Sequence, residues 1–388
     1  MSLRLALNNC KPKNSNNVKL FNKIIPTNID TFVAFPVALF KIIELKFEIS
    51  KVPETRSQSF KKFAVFMINV FNAVLVSALI TIVLIRSYNV IFGIAFSLSF
   101  MMIIARYTTF FIYRSEIAEI LEIFRKSFNS EEKYAGTLQN YLKRVKIIQC
   151  GYAVFVPTPL VLSAIKVFLK YILFNERQFD PKIYFPFDAT RPEVYPFALF
   201  WVYWSKTTSE LINIADMGML FGMLSFILAR FDILGQKFQN LKGIRDKSHF
   251  KTKLLELRVE HELLLKLTAQ MDKIFSPSFF FSIVMSSYSI CFLAFEASIA
   301  ENIDHVIFYS SFAAVLCFTM FLQCLYGQKI KIMSEKVAQC VYECGWEQIS
   351  DFKMRKDLIF IIKRAQKPAT FTILNFGEVT LEQYGKVK

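Results

Sequence analysis

Glycine and proline are scarce in this chain, at 11 and 12 of 388 residues, and histidine and tryptophan number only 3 each. So little glycine and proline excludes collagen-like and low-complexity classes, which need far more of both. The three histidines, His249, His261 and His305, are too scattered for a histidine-rich metal centre. Cys340 and Cys344 stand one helical turn apart and offer half a zinc site, but no second pair lies near them. There is no glycine-rich loop to cradle a phosphate, no Gly-x-Ser-x-Gly elbow and no His-Glu-x-x-His pair. The stretch from Met1 to Cys10 has no apolar core of the length a cleaved signal peptide needs, so an internal span leads insertion. The seven cysteines are dispersed and odd in number, which predicts no structural disulfide. Together these absences point away from an enzyme and call for neither a metal nor a cofactor.

What is present is apolar mass. Hydrophobic residues make up 54% of the chain, phenylalanine alone contributes 43, and mean hydropathy is +0.37. Several long, mostly apolar runs in one sequence place it in a lipid bilayer, since about 20 such residues cross the hydrocarbon as a helix. The formal charge of +16 does not indicate a nucleic-acid partner. A nucleic-acid binder gathers its charge on one soluble face, whereas here the basic residues lie between apolar runs.

In chain order, residues 1–62 form a polar, basic region with one short apolar piece, 32–40, too short to span and read as interfacial. Spans one to six then occupy 63–326. They are placed at 63–85, 90–112, 147–165, 196–229, 276–300 and 306–326. Arg106 lies near the inner end of the second, where its long stem can snorkel to the interface. The mixed-charge stretch 113–146 has helical spacing and reads as an extension of the second span into water. Pro157 and Pro159 remove backbone donors inside the third span and predict a bend there. Residues 166–195, rich in proline and aromatics, read as a folded outer cap, and 230–275 as a basic helical loop. The stop-like Phe275-Ser-Pro277 is read as opening the fifth span. A basic segment, 327–370, precedes a returning apolar stretch, 371–388.

Lysine and arginine set the orientation. The segments 1–62, 113–146, 230–275 and 327–370 carry 37 of them, against 6 on the alternate connections. That asymmetry predicts a cytosolic amino terminus, opposite to a G-protein-coupled receptor.

Two patterns inside the spans carry chemistry. Lys206, Glu210 and Asp216 are ionisable residues within the fourth span, each costly in hydrocarbon unless it meets a partner or a cavity. Lys206 and Glu210 are spaced to pair on one helix face, which would only fix packing, while Asp216 has no local partner and keeps a functional claim. The second pattern is aromatic: Phe92 and Phe96 on the second span, Phe200, Trp201, Tyr203 and Trp204 on the fourth, and Phe308, Tyr309 and Phe312 on the sixth. Beside a bent third span these residues either wall an apolar pocket or anchor helices at the headgroups. On the pocket reading the ligand-binding set is Phe92, Phe96, Thr158, Leu162, Trp201, Trp204, Thr208, Tyr309 and Phe312.

The motifs resemble those of insect odorant receptors along most of the chain. The similar pieces are Phe185-Pro-Phe-Asp-Ala-Thr190, Arg230-Phe-Asp-Ile-Leu234 and Ile274-Phe-Ser-Pro277. In the tail they are Tyr326-Gly327, Ser334-Glu-Lys-Val-Ala338, Tyr342-Glu-x-x-x-Trp346 and Gln366-Lys-Pro368. The resemblance implies an all-α, polytopic membrane protein with seven spans and a cytosolic amino terminus, located in the plasma membrane of sensory neurons. It implies a ligand-gated cation channel in which an odour-tuning subunit joins a shared co-receptor in a heterotetramer, and a small volatile ligand bound among the outer halves of spans two to six. The short 230–275 loop is that of a tuning subunit. By the same resemblance Tyr326, Gly327, Ser334, Glu335, Ala338, Tyr342, Trp346 and Pro368 belong to a cytosolic subunit anchor, and 371–388 begins the seventh, pore-lining span. Six spans are then complete and the seventh is not, as in a truncated gene model or splice form. The alternatives are a gustatory-type channel subunit and a truncated, non-conducting isoform.

Overall fold

The computed structural model describes residues 29–42, 56–86, 90–127, 132–179, 183–244, 246–348, 351–374 and 376–387. The described residues are helical nearly throughout, with one isolated bridge, Thr372 to Glu378. The helices are α1 (Ile29–Ile42), α2 (Arg56–Arg86), α3 (Val90–Ile112), α4 (Arg114–Ser127), α5 (Ala135–Phe155), α6 (Thr158–Phe174), α7 (Tyr195–Asn240), α8 (Lys247–Ile299), α9 (Ile303–Tyr342), α10 (Phe352–Ala365) and α11 (Leu381–Val387). Among the described residues, four helical stretches, Ala135–Phe174, Tyr195–Gly243, Lys247–Ile299 and Ile303–Tyr342, are long and apolar enough to cross a membrane. The first two expected spans lie within α2 and α3.

The bundle is built around α7. Apolar residues occur on every side of its second half, and from Ile212 to Phe231 every side chain is buried. A helix apolar all round has no face to give to solvent and becomes the core. Against it lies α1, with Ile29, Phe32, Val33 and Phe40 buried. Two glycines allow that approach: a Cβ on Gly222 would lie 2.6 Å from the Phe32 carbonyl oxygen, and one on Gly218 would lie 3.2 Å from the Pro36 ring. Small residues let helix backbones close together where side-chain burial alone gives little drive. The short apolar piece read as interfacial is therefore packed into the bundle. The Gln149 amide joins the two helices, donating to the Phe32 carbonyl at 3.1 Å and the Gly218 carbonyl at 2.8 Å.

Pro157 and Pro159 separate α5 from α6, as the sequence predicts. The proline at Phe275-Ser-Pro277 acts otherwise, because α8 runs unbroken through it from Lys247 to Ile299. A proline removes one backbone donor, and neighbouring helices on both sides of a long rod hold its direction. This helix starts on a capped turn, with Asp246 accepting from the backbone of Ser248 at 3.2 Å and His249 at 3.1 Å. After α6 the connection is ordered: the Tyr195 hydroxyl donates to the Gln178 carbonyl, and Asp188 accepts from both the backbone and the hydroxyl of Thr190.

The tail folds back along α9 and α8. Over 371–374 and 376–380 the backbone is irregular, and helix resumes in α11. The Thr372 amide donates to Asp272 at 2.6 Å, the Leu374 amide donates to Ser276 at 2.7 Å, and Lys331 pairs with Glu378 at 2.6 Å.

Candidate ligand-binding site

A cavity lies between α3, the α5–α6 bend, α7 and α9. Phe100 and Met102 come from α3, Pro159 and Leu160 from the bend, and Phe308, Phe312 and Leu316 from α9. The proline break shapes the site directly, since Val156 ends one helix, Pro159 opens the next, and both line it. One wall is polar: α7 presents Lys206, Ser209, Glu210 and Asn213, positions that share one face by helical spacing. A second, smaller cavity between α2, α3 and α7 includes Trp204 and Thr208.

The polar wall connects to a buried network. The Arg106 Nη2 donates to the Asn213 side-chain oxygen at 2.7 Å, and its Nε lies 3.5 Å from the Asp216 carboxylate, with both side chains fully buried. Asn213 in turn donates to Glu210 at 3.4 Å and accepts from the Tyr152 hydroxyl at 3.4 Å. Tyr152 and Thr319 share a hydrogen bond at 3.2 Å, so α3, α5, α7 and α9 meet at this point. Two expectations are corrected here. Arg106 does not snorkel to an interface, and Asp216 does have a partner, supplied by a different helix.

The residues expected from the aromatic pattern are dispersed. Phe312 lines the main cavity, while Trp204 and Thr208 line the smaller one, Trp204 with more than half its surface exposed. Tyr309 is buried among Ala95, Val202 and Leu293, with Trp201 partly buried beside it. Leu162 faces outward, and Thr158 donates to the Val154 carbonyl at 3.4 Å. Phe92 and Phe96 lie outside the described side chains. The lining that the pattern missed, Ser209 and Asn213 with Lys206 and Glu210, had a signal: the cost of polar groups within a span.

The tail motif residues form contacts of their own. Tyr326 stacks on Phe221 with ring centres 5.2 Å apart and accepts from the Ser225 hydroxyl at 2.9 Å. Gly327 faces the Val379 carbonyl with no room for a side chain between them. Ser334 accepts from the Ala369 amide at 2.9 Å, next to the half-buried Pro368. Tyr342 and Trp346 pair at 6.0 Å, Ala338 is half-buried, and Glu335 is exposed. Burial pushes the Cys344 thiol up to about 11 and keeps it neutral.

Comparisons with known proteins agree with this architecture. A family model described as 7tm Odorant receptor matches residues 88–387. Odorant receptor 67c of Drosophila melanogaster is 27% identical over 234 residues, 59% of this chain and 57% of that one. Odorant receptor 94a of the same fly is 26% identical over 221 residues, 55% of this chain and 56% of its own. The insect olfactory receptor OR5 from Machilis hrabei, solved in complex with eugenol, superposes with a TM-score of 0.80. That likeness covers 92% of this chain and 95% of the other at 16% identity, and it shows the fold.

Proposed function

From the premise that this chain belongs to the odorant receptor family, we propose that it is an odour-tuning subunit. It binds a small volatile ligand in the cavity between α3, the α5–α6 bend, α7 and α9, and gates a cation channel together with a co-receptor. One observation carries the reading: a pocket lined by Phe100, Phe308 and Phe312 within a bundle of membrane-length helices. Such a space suits a compact, mostly apolar molecule. An olfactory receptor with the same fold is known in complex with eugenol, a small molecule, which supports the reading.

In this reading the amino terminus is cytosolic, supported by 37 basic residues on one set of connections against 6 on the other. The site is the plasma membrane of a sensory neuron. Tyr326, Gly327, Ser334, Glu335, Ala338, Tyr342, Trp346 and Pro368 shape the anchor through which subunits assemble, with 371–388 leading into the pore span. Gating is a population shift, because a ligand that fits the open bundle better than the closed one biases the channel by that difference. The test is to express the chain alone and with an odorant co-receptor and record odour-evoked current. Current that requires both chains supports the proposal. Equal current from the chain alone removes the co-receptor from it.

A further inference from the structure

The wall that α6 gives to the cavity is loosely held. On this helix only Pro159, Ser163 and Val167 are buried among the described residues. Its outward side, with Val161, Leu162, Ile165, Phe168, Leu169 and Ile172, is exposed and apolar. By contrast, α7 buries every side chain from Ile212 to Phe231. Pro157 and Pro159 carry no backbone N–H, so two of the bonds that would tie α6 to α5 are missing. Helices bend at such points, and the junction is a hinge.

The ties from the outer half of α6 to the bundle include one hydrogen bond, one ion pair and a small apolar contact. The Ser163 and Tyr203 hydroxyls share a hydrogen bond at 3.2 Å, and Val167 packs with Tyr195 and Leu199. The Lys166 ammonium lies 4.0 Å from the Asp304 carboxylate at the start of α9. A neutral hydroxyl bond and a partly exposed ion pair are both weak ties.

One helix thus stands between the site and the outside of the bundle. Pro159, Leu160 and Ser163 line the cavity, while the opposite side of α6 faces outward on a membrane-length stretch. An apolar molecule concentrates in the bilayer, because that removes its surface from water. On the aqueous side the connection after α6 is pinned by the Tyr195 hydroxyl on the Gln178 carbonyl and by Thr190 on Asp188. A guest dissolved in lipid needs only a weakly tied helix to swing aside. A guest arriving from water has to displace an ordered connection.

We propose that α6 is a flap, hinged at Pro157 and Pro159 and latched by Ser163 to Tyr203 and Lys166 to Asp304, through which the cavity takes its ligand from the bilayer. The proposal rests on the reading of this cavity as the ligand site. A flap changes the rates of entry and exit together and leaves final occupancy nearly constant while the closed form dominates.

The test uses the full chain purified with a co-receptor in phosphatidylcholine vesicles. A small apolar photolabel, 3-phenyl-3-(trifluoromethyl)diazirine, is mixed in and flashed after set delays. Mass spectrometry follows Phe312 inside the cavity and Leu162 on the outward face. Leu162 should label at once, and Phe312 after a lag. Tyr203→Phe loosens the latch without altering the cavity lining, and should shorten the lag by about threefold or more at an unchanged final extent. Lys166→His with Asp304→His should lengthen the lag to a similar degree when Zn²⁺ bridges the pair, and chelation should restore it. A lag that neither variant moves overturns the proposal, and so does absence of Phe312 labelling at every delay. Labelling that follows the expected pattern without odour-evoked current from the same pair of chains leaves the flap standing and counts against the channel function instead.

Discussion

Arg106 and Asp216 form an ion pair at 3.5 Å with both side chains fully buried, joining α3 to the centre of α7. Neither charge has water to fall back on, so the pair matters most when one member is missing. Removing one partner of a buried pair costs about 3–5 kcal/mol, while replacing both with apolar residues is often neutral. Asp216→Asn and Arg106→Met are each expected to lower the melting temperature of the solubilised protein sharply, and Arg106→Met with Asp216→Leu to recover most of the loss. Additive losses in the double variant would show that the two residues act independently.

Gly327 is the second position where geometry leaves no latitude, because an added Cβ would collide with the Val379 carbonyl. Gly327→Ala should push the 371–380 segment off α9 and raise chymotryptic cleavage at the buried Phe371 several-fold. Gly151→Ala provides the control. Nothing lies within 4 Å of that position, and alanine gains roughly 0.5–1 kcal/mol over glycine inside a helix. Unchanged cleavage in Gly327→Ala would show that the tail accommodates the methyl.

The cavity predicts which aromatic and aliphatic residues tune the response. Phe312→Ala enlarges the site and is expected to shift odour potency at least several-fold. Leu162→Ala, on an outward face of α6, is expected to leave dose–response curves in place. The comparison is read from odour-evoked currents, and the reverse ranking would move the site elsewhere.

His261 lies on α8 ahead of the apolar stretch, 3% exposed, and its Nε2 has no hydrogen-bond partner. Burial, with Arg364 as a smaller contributor, holds its pKa down at about 4 against an ordinary 6.5. The unfolded chain thus takes up a proton more readily than the folded one across that interval. Stability is full above pH 6.5 and falls as pH drops towards 4. His261→Phe should flatten that part of the melting-temperature profile relative to the unmodified protein, and a parallel profile would assign the acid sensitivity to other groups.

The bend between α5 and α6 was legible because Pro157 and Pro159 act through their own backbone. Pro277 departs from the same rule, since α8 continues through it. The difference lies in what surrounds each proline, and spacing along the chain does not carry that information. The candidate site was legible in part. Lys206 and Glu210 stood out as polar residues in an apolar run, and both line the cavity. Thr158, Leu162 and Tyr309 follow from the bent third span and the aromatic pattern, and helix rotation leaves them off the lining of the main cavity.

The sequence by itself determined the class and the family: long apolar runs, their alternation with basic segments, and the tail motifs from Tyr326 to Pro368. Such features are local or periodic, so a chain displays them before it folds. The tertiary structure alone decided which helix faces meet. It gave Asp216 its arginine, buried α1 on α7 through Gly218 and Gly222, and divided the aromatics between cavity, core and surface. Those outcomes depend on the rotation and closest approach of packed helices, which are set by many side chains at once.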